Sequence, residues 1–319
     1  MRALLTTLLI GLSLSSLEVA ADTEKEKRVR DYPFEQVAEN SWVIHGPLGH
    51  PTVENQGFMN NPGMVVTRAG VVLVDPGSSV LAGEMVLRMV KKVTDAPVVA
   101  TFNTHVHGDH WLGNQAIRAA YPDAPIYAHP NMVSEAESGK GDQWRLLIER
   151  QTEGLTRRTR VELPDQLLNH GDELRIGDHT FRIHHYGQAH TNSDMMVEVV
   201  EEGVVFLGDN VMSNRLGGMQ EGTFLGNMQT LKRVLESGAK VWVPGHGATA
   251  GAEVVTTYRD YLKTVYGGAL LAFEEGMESD QLKPLIVERA AAYRDWVGYS
   301  LEIGRHAGHA YLEVESNEF

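Results

Sequence analysis

Four side chains able to hold a metal ion fall within six consecutive positions of Thr104-His105-Val106-His107-Gly108-Asp109-His110. His105 and His107 sit two apart, so on an extended segment they face the same side, and Gly108 is the expected point at which the chain turns back to bring up Asp109 and His110. A neutral imidazole offers one nitrogen lone pair, and a carboxylate adds negative charge that offsets a cation. The chain has no cysteine, which excludes thiolate ligands and disulfides, so any metal is held by nitrogen and oxygen. One or two divalent ions are the expected cofactors, and a set of nitrogen and oxygen donors suits Zn2+, with Fe or Mn as alternatives.

The elements that must position this cluster form a pattern that occurs twice. A strand over 70–74 ends at Asp75, a helix over 82–93 follows, and a second strand over 98–102 delivers His105. Further on, a strand over 203–207 ends at Gly208-Asp209, a helix over 228–235 follows, and a strand over 241–243 delivers His246 in Pro244-Gly245-His246-Gly247. Polar residues at the carboxyl ends of apolar strands are where α/β proteins place their sites. Two similar halves aimed at one crevice are therefore expected, with His190, in the polar loop after a hairpin over 173–183, joining them.

The outer parts of the chain read differently. Arg2, the apolar run Ala3–Leu17 and the small residues Ala20-Ala21 predict a signal peptide over 1–21, hence a periplasmic or secreted protein with no stable membrane span after cleavage. Residues 22–30 are charged and predict a flexible tail, 31–250 a catalytic domain, and 251–319 a helical extension packed on it. In that extension Val254, Tyr258, Tyr261, Leu262 and Val265 recur at helical spacing, and a second helix is expected over 279–297. A net charge of −14 argues against nucleic acid as a partner, and the Arg157-Arg158-Thr159-Arg160 run reads as a solvated face, leaving a small-molecule substrate. The Gly- and Pro-rich stretch over 46–62 is a long loop and a candidate substrate wall, Asn60 and Asn61 included, whereas its His45 and His50 read as surface residues.

Thr-His-Val-His-Gly-Asp-His followed by Gly208-Asp209 and Pro-Gly-His-Gly resembles the metallo-β-lactamase superfamily, with matching motifs in order from Asp75 to His246. The resemblance implies an α/β fold, a four-layer αββα sandwich with the metals at one edge of its two sheets. It places His105, His107 and His190 at a first metal, Asp109, His110 and His246 at a second, and Asp209 as the bridging carboxylate. Asp75 takes the place of the Asp that orients nearby ligands by hydrogen bonding. It further implies a hydroxide shared by two metal ions as the nucleophile toward a carbonyl, with Asp109 orienting it.

Asp209 discriminates among the reactions the superfamily performs. A bridging Asp resembles glyoxalase II-like thioesterases and lactonases, whereas β-lactam hydrolases typically carry another residue there, so an ester, thioester or lactone is expected ahead of a β-lactam. A mono-iron persulfide dioxygenase is the alternative from another reaction class, and such proteins usually lack a complete second site. Asp109, His110 and His246 are all present here. The remaining histidines, His129, His170, His179, His184, His185, His306 and His309, read as packing or surface residues.

Overall fold

The computed structural model describes residues 28–318. The predicted signal peptide and most of the predicted tail lie outside the described residues. The end of that tail departs from expectation, because Val29 is buried beneath the first long helix, in the apolar cluster of Met85 and Met89. Backbone groups here are also matched: Arg30 N–H donates to Gln56 Oε1 at 2.8 Å, and Arg88 Nη2 donates to the carbonyl of Val29 itself at 2.8 Å.

Seven strands form the first sheet in chain order: β1 (Glu35–Gln36), β2 (Ser41–Val43), β3 (Gly63–Thr67), β4 (Gly70–Val74), β5 (Val98–Phe102), β6 (Ile126–Ala128) and β7 (Gln166–Leu167). The sheet is antiparallel as far as β4 and parallel from there on. The second sheet holds β8 (Glu173–Ile176), β9 (His179–His184), β10 (Met196–Val199), β11 (Val204–Phe206) and β12 (Val241–Val243), antiparallel except for the β11–β12 pair. The helices are α1 (Val80–Val93), α2 (Gly108–Trp111), α3 (Asn114–Ala120), α4 (Pro130–Glu135), α5 (Gly141–Gln151), α6 (Phe224–Val234), α7 (Ala252–Glu274), α8 (Ser279–Arg289) and α9 (Tyr299–Glu318).

Parallel neighbours need a crossover, which a helix supplies. α1 makes it between β4 and β5, and α6 between β11 and β12, so each sheet contains one copy of the duplicated pattern. Strands covered on both faces read as continuous apolar runs, as in the fully buried Gly70-Val71-Val72-Leu73-Val74. Val72, Val74 and Phe102 meet Phe181, Ile183, Val197 and Phe206 between the sheets. Val71 and Leu73 face α1 on the outside, while Val205 and Trp242 face α6 and α7. The result is the αββα sandwich.

The C-terminal helices share the apolar cluster of the second sheet, with Tyr258, Tyr261, Leu262 and Val265 of α7 fully buried. The helix expected over 279–297 is shorter, ending at Arg289, with a 3-10 turn at Ala291–Tyr293. The chain then reverses at Gly298, whose φ of +86 and position against Leu216 (an added Cβ would lie 2.6 Å from its carbonyl oxygen) admit only glycine without strain. α9 follows, a third helix within the helical extension expected over 251–319.

His306 ties α9 to the rest. The Tyr261 hydroxyl donates to its Nδ1 at 2.6 Å, and its Nε2–H donates to the Gly217 carbonyl at 2.8 Å. Burial pushes this imidazole down to about 4 from 6.5. A depressed folded-state pKa means that the unfolded chain takes up the proton first as pH falls. His306 therefore contributes stability above about pH 6.5 that is lost on the way down through about pH 4, a term of about 3 kcal/mol. His306→Gln keeps an acceptor and a donor but cannot titrate. Urea unfolding at pH 7 and pH 5 should show a smaller acid loss in this variant than in wild type, and equal losses would refute the assignment.

Candidate metal centre

All seven residues singled out for metal binding gather at one edge of the two sheets. His105 follows β5, His107 precedes α2, and Asp109 and His110 lie in α2. His190 sits in the loop between β9 and β10, Asp209 in the 3-10 turn after β11, and His246 in the loop after β12. Gly108 does not serve as the expected turn. It opens α2, and its missing Cβ makes room for Trp144, whose Cβ would otherwise be 2.6 Å away.

The donors form two sets. His105, His107, His190 and Asp209 each offer one atom within 4.8 Å of the others, and so do Asp109, His110 and His246. Asp209 reaches both. Its Oδ1 lies 3.1 Å from His110 Nε2, while its Oδ2 lies 3.3 Å from His246 Nε2 and 3.7 Å from His190 Nε2. Asp109 Oδ2 is 3.3 Å from His246 Nε2.

The outward nitrogens are held from behind. Asp75 Oδ2 lies 2.8 Å from His110 Nδ1, and the same carboxylate accepts from Thr104 N–H and from the Thr104 hydroxyl at 2.8 and 2.6 Å. Thr104 Oγ1 is in turn 3.0 Å from His105 Nδ1. His246 Nδ1 has the Met59 carbonyl at 2.8 Å and Arg215 Nη1 at 3.1 Å. The carbonyl can only accept, so Nδ1 carries the proton and Nε2 keeps its lone pair.

These inward atoms fit a cation. His105 Nε2, His110 Nε2, His246 Nε2 and Asp209 Oδ1 are buried without a hydrogen-bond partner, a state that costs about 1–3 kcal/mol per group unless something binds there. The electrostatics agree. Burial alone would lower His110, but Asp209, Asp109 and Asp75 hold it well above its ordinary value, so the carboxylates keep a positive charge in the centre. Burial would likewise raise Asp109 and Asp209, yet the surrounding imidazoles hold both below the usual carboxylate range. Burial and the neighbouring His107 keep His190 neutral, down at about 3.

A cleft of about 250 Å³ opens over the two sets, walled by Met59, Trp144, Arg215, Glu221 and Glu302 among others. His50 and Pro51 also line it, so the 46–62 loop does border the site. Asn60 and Asn61 do not form its wall as expected. Both are buried brackets, Asn60 donating to the Asp75 carbonyl and Asn61 to those of Pro244 and Gly247. His45 points elsewhere, to Thr249 at 2.9 Å. His184 pairs with Glu198 at 2.7 Å, and His129 caps α4. Trp144, Arg215, Glu221 and Glu302 were not found from sequence, since each reaches the cleft by tertiary packing. The one usable signal was the long irregular stretch between Asp209 and α6.

A two-sheet sandwich with paired His/Asp donor sets at its edge defines a metallohydrolase-type architecture. Residues 56–246 match the metallo-β-lactamase superfamily, which is more than half of the chain, and the chain belongs to that superfamily. Its fold is similar to that of a metallo-β-lactamase from Pontibacter korlensis, with a TM-score of 0.59 and 19% identity over 73% of this chain and 99% of that one. In sequence it is 27% identical over 176 residues to a hydroxyacylglutathione hydrolase of Gloeothece citriformis, covering 53% of this chain and 57% of the relative. It is also 24% identical over 229 residues to the metallo-beta-lactamase IND-1 of Chryseobacterium indologenes, covering 70% and 86%. The chain thus spans little more than half the length of the hydroxyacylglutathione hydrolase it matches.

Proposed function

We propose that this protein is a two-metal hydrolase of ester, thioester or lactone carbonyls, with zinc as the best-suited ion. The observation that carries the reading is the place of the Asp209 carboxylate between the donor sets, with Oδ1 3.1 Å from His110 Nε2 and Oδ2 3.3 Å from His246 Nε2 and 3.7 Å from His190 Nε2. His105, His107 and His190 would hold one ion, Asp109, His110 and His246 the other, with Asp209 between them. When bound, such ions supply Lewis acidity and a water activated near neutral pH. The chain's own groups do the rest. Asp109, ionised and at the cleft lining, is placed to orient the nucleophile. Trp144 and Met59 limit water around the reacting carbonyl, and the buried Arg215 adds a fixed positive charge.

The bridging Asp favours an ester or thioester over a β-lactam, in line with the hydroxyacylglutathione hydrolase relative. Arg2, the apolar run after it and the small residues Val19-Ala20-Ala21 support export to the periplasm or beyond. The test is metal analysis of protein from the periplasmic fraction, whose first residue should be Asp22, followed by a panel of thioester, lactone, β-lactam and persulfide substrates. Two zinc equivalents and thioester or lactone turnover, abolished by a chelator and restored by zinc, are expected. One iron with oxygen consumption would sink the hydrolase reading, and turnover of the β-lactam alone would overturn the substrate class.

A further inference from the structure

The histidines of the centre differ in what stands behind them. Thr104 backs His105, Asp75 backs His110, and the Met59 carbonyl backs His246, all from buried positions within one rigid edge of the sheets. His107 is different. Its side chain is 13% exposed, against 1% for His110, His190 and His246, and so it has the most freedom to turn away.

His107 Nδ1 faces inward, 3.0 Å from His190 Nε2. Nε2 looks outward, where Glu221 Oε2 lies 3.7 Å away. The same oxygen is gripped by Lys140 Nζ at 2.7 Å, and Lys140 is itself anchored to Glu135 Oε2 at 3.2 Å. From the other side Gln188 Nε2 donates to the Glu221 carbonyl at 2.7 Å. Lys140 reaches this point because the chain between α4 and α5 makes a π-helical turn over Ala136–Lys140, with Gly139 at φ +111. The Trp144 ring packs on His107, 4.7 Å between centroids. The imidazole is thus bounded by an indole from α5 and by a carboxylate from the loop that follows Asp209.

We propose that Glu221, clamped by Lys140, is the positioning residue for His107: its carboxylate, facing Nε2, holds the proton on that nitrogen and so leaves Nδ1 as the atom turned to the metal set. This rests on the two-metal reading above. A carboxylate behind a ligating histidine fixes its tautomer and raises its basicity, and losing one typically weakens metal binding about 10–100-fold. The clasp joins the two halves of the duplicated fold, since Lys140 and His107 come from the first and Glu221 from the second.

Stepwise zinc affinities, measured by competition with a chromophoric chelator, test it in wild type, Glu221→Ala, Glu221→Gln and Lys140→Met. Glu221→Ala should weaken one of the two zinc equivalents about 10–100-fold and leave the other unchanged. Glu221→Gln, whose amide oxygen accepts the same proton, should recover much of that loss, and Lys140→Met should fall between wild type and Glu221→Ala. Urea midpoints of the zinc-free proteins should coincide, which separates positioning from loss of fold. Wild-type affinities in Glu221→Ala, equal losses at both equivalents, or no recovery in Glu221→Gln would each overturn the proposal. Wild-type protein that binds no zinc would sink the metal reading and this inference with it.

Discussion

Replacing Asp109 with asparagine is expected to lower kcat by about a hundredfold or more, the scale on which misplacing a reacting group acts. The amide keeps the shape of the side chain and its place at the start of α2. What it loses is the negative charge that faces His246 Nε2 at 3.3 Å and His110 Nε2 at 3.6 Å. Those two histidines hold Asp109 ionised despite its burial, so the charge is a built property of the site. KM should change far less, because the cleft walls are untouched and the lost interactions lie at the reacting centre, where they appear in kcat. Zinc analysis should find one equivalent retained at the His105, His107 and His190 set and the other weakened. A variant with kcat within about tenfold of wild type would remove Asp109 from the chemistry.

The centre was legible in the sequence because its ligands follow the strands that carry them. Val98–Phe102 and Val241–Val243 are short, apolar and largely β-branched, and each forms a strand with the bounds the sequence predicts. The histidines and carboxylates just beyond them need only a few residues of chain to reach the edge of the sheet. The cleft walls carry no such local signal. Glu302 lies on α9, 56 positions beyond His246, and arrives only because Gly298 reverses the chain. Glu221 is an ordinary loop carboxylate until Lys140 and His107 are folded against it. β10 also went unnoticed: Met196-Val197-Glu198-Val199 is buried throughout, with Glu198 paired to His184 and Arg182. A charged residue inside a core strand breaks the apolar pattern unless its partners are known.

Asp75 gives the sharpest separation between folding and metal binding. Its backbone is in the left-handed region, φ +52, which Asp and Asn adopt more readily than other non-glycine residues. Its side chain satisfies Thr104 twice and His110 once, all buried. Asp75→Ala should therefore destabilise the protein by about 3–5 kcal/mol, as expected when one partner of a buried charged network is removed. Asp75→Asn should behave differently. Asparagine tolerates the backbone angle and can still accept from Thr104, but its amide NH2 would face His110 Nδ1, where it can only donate. His110 would then take the other tautomer, with the proton on Nε2 pointing into the cluster and no lone pair left for an ion. The asparagine variant should keep most of its urea stability and lose the zinc equivalent that depends on His110, together with turnover. If it holds both equivalents as tightly as wild type, the tautomer of His110 is not set by Asp75, and the carboxylate behind the centre serves only to hold Thr104 in place.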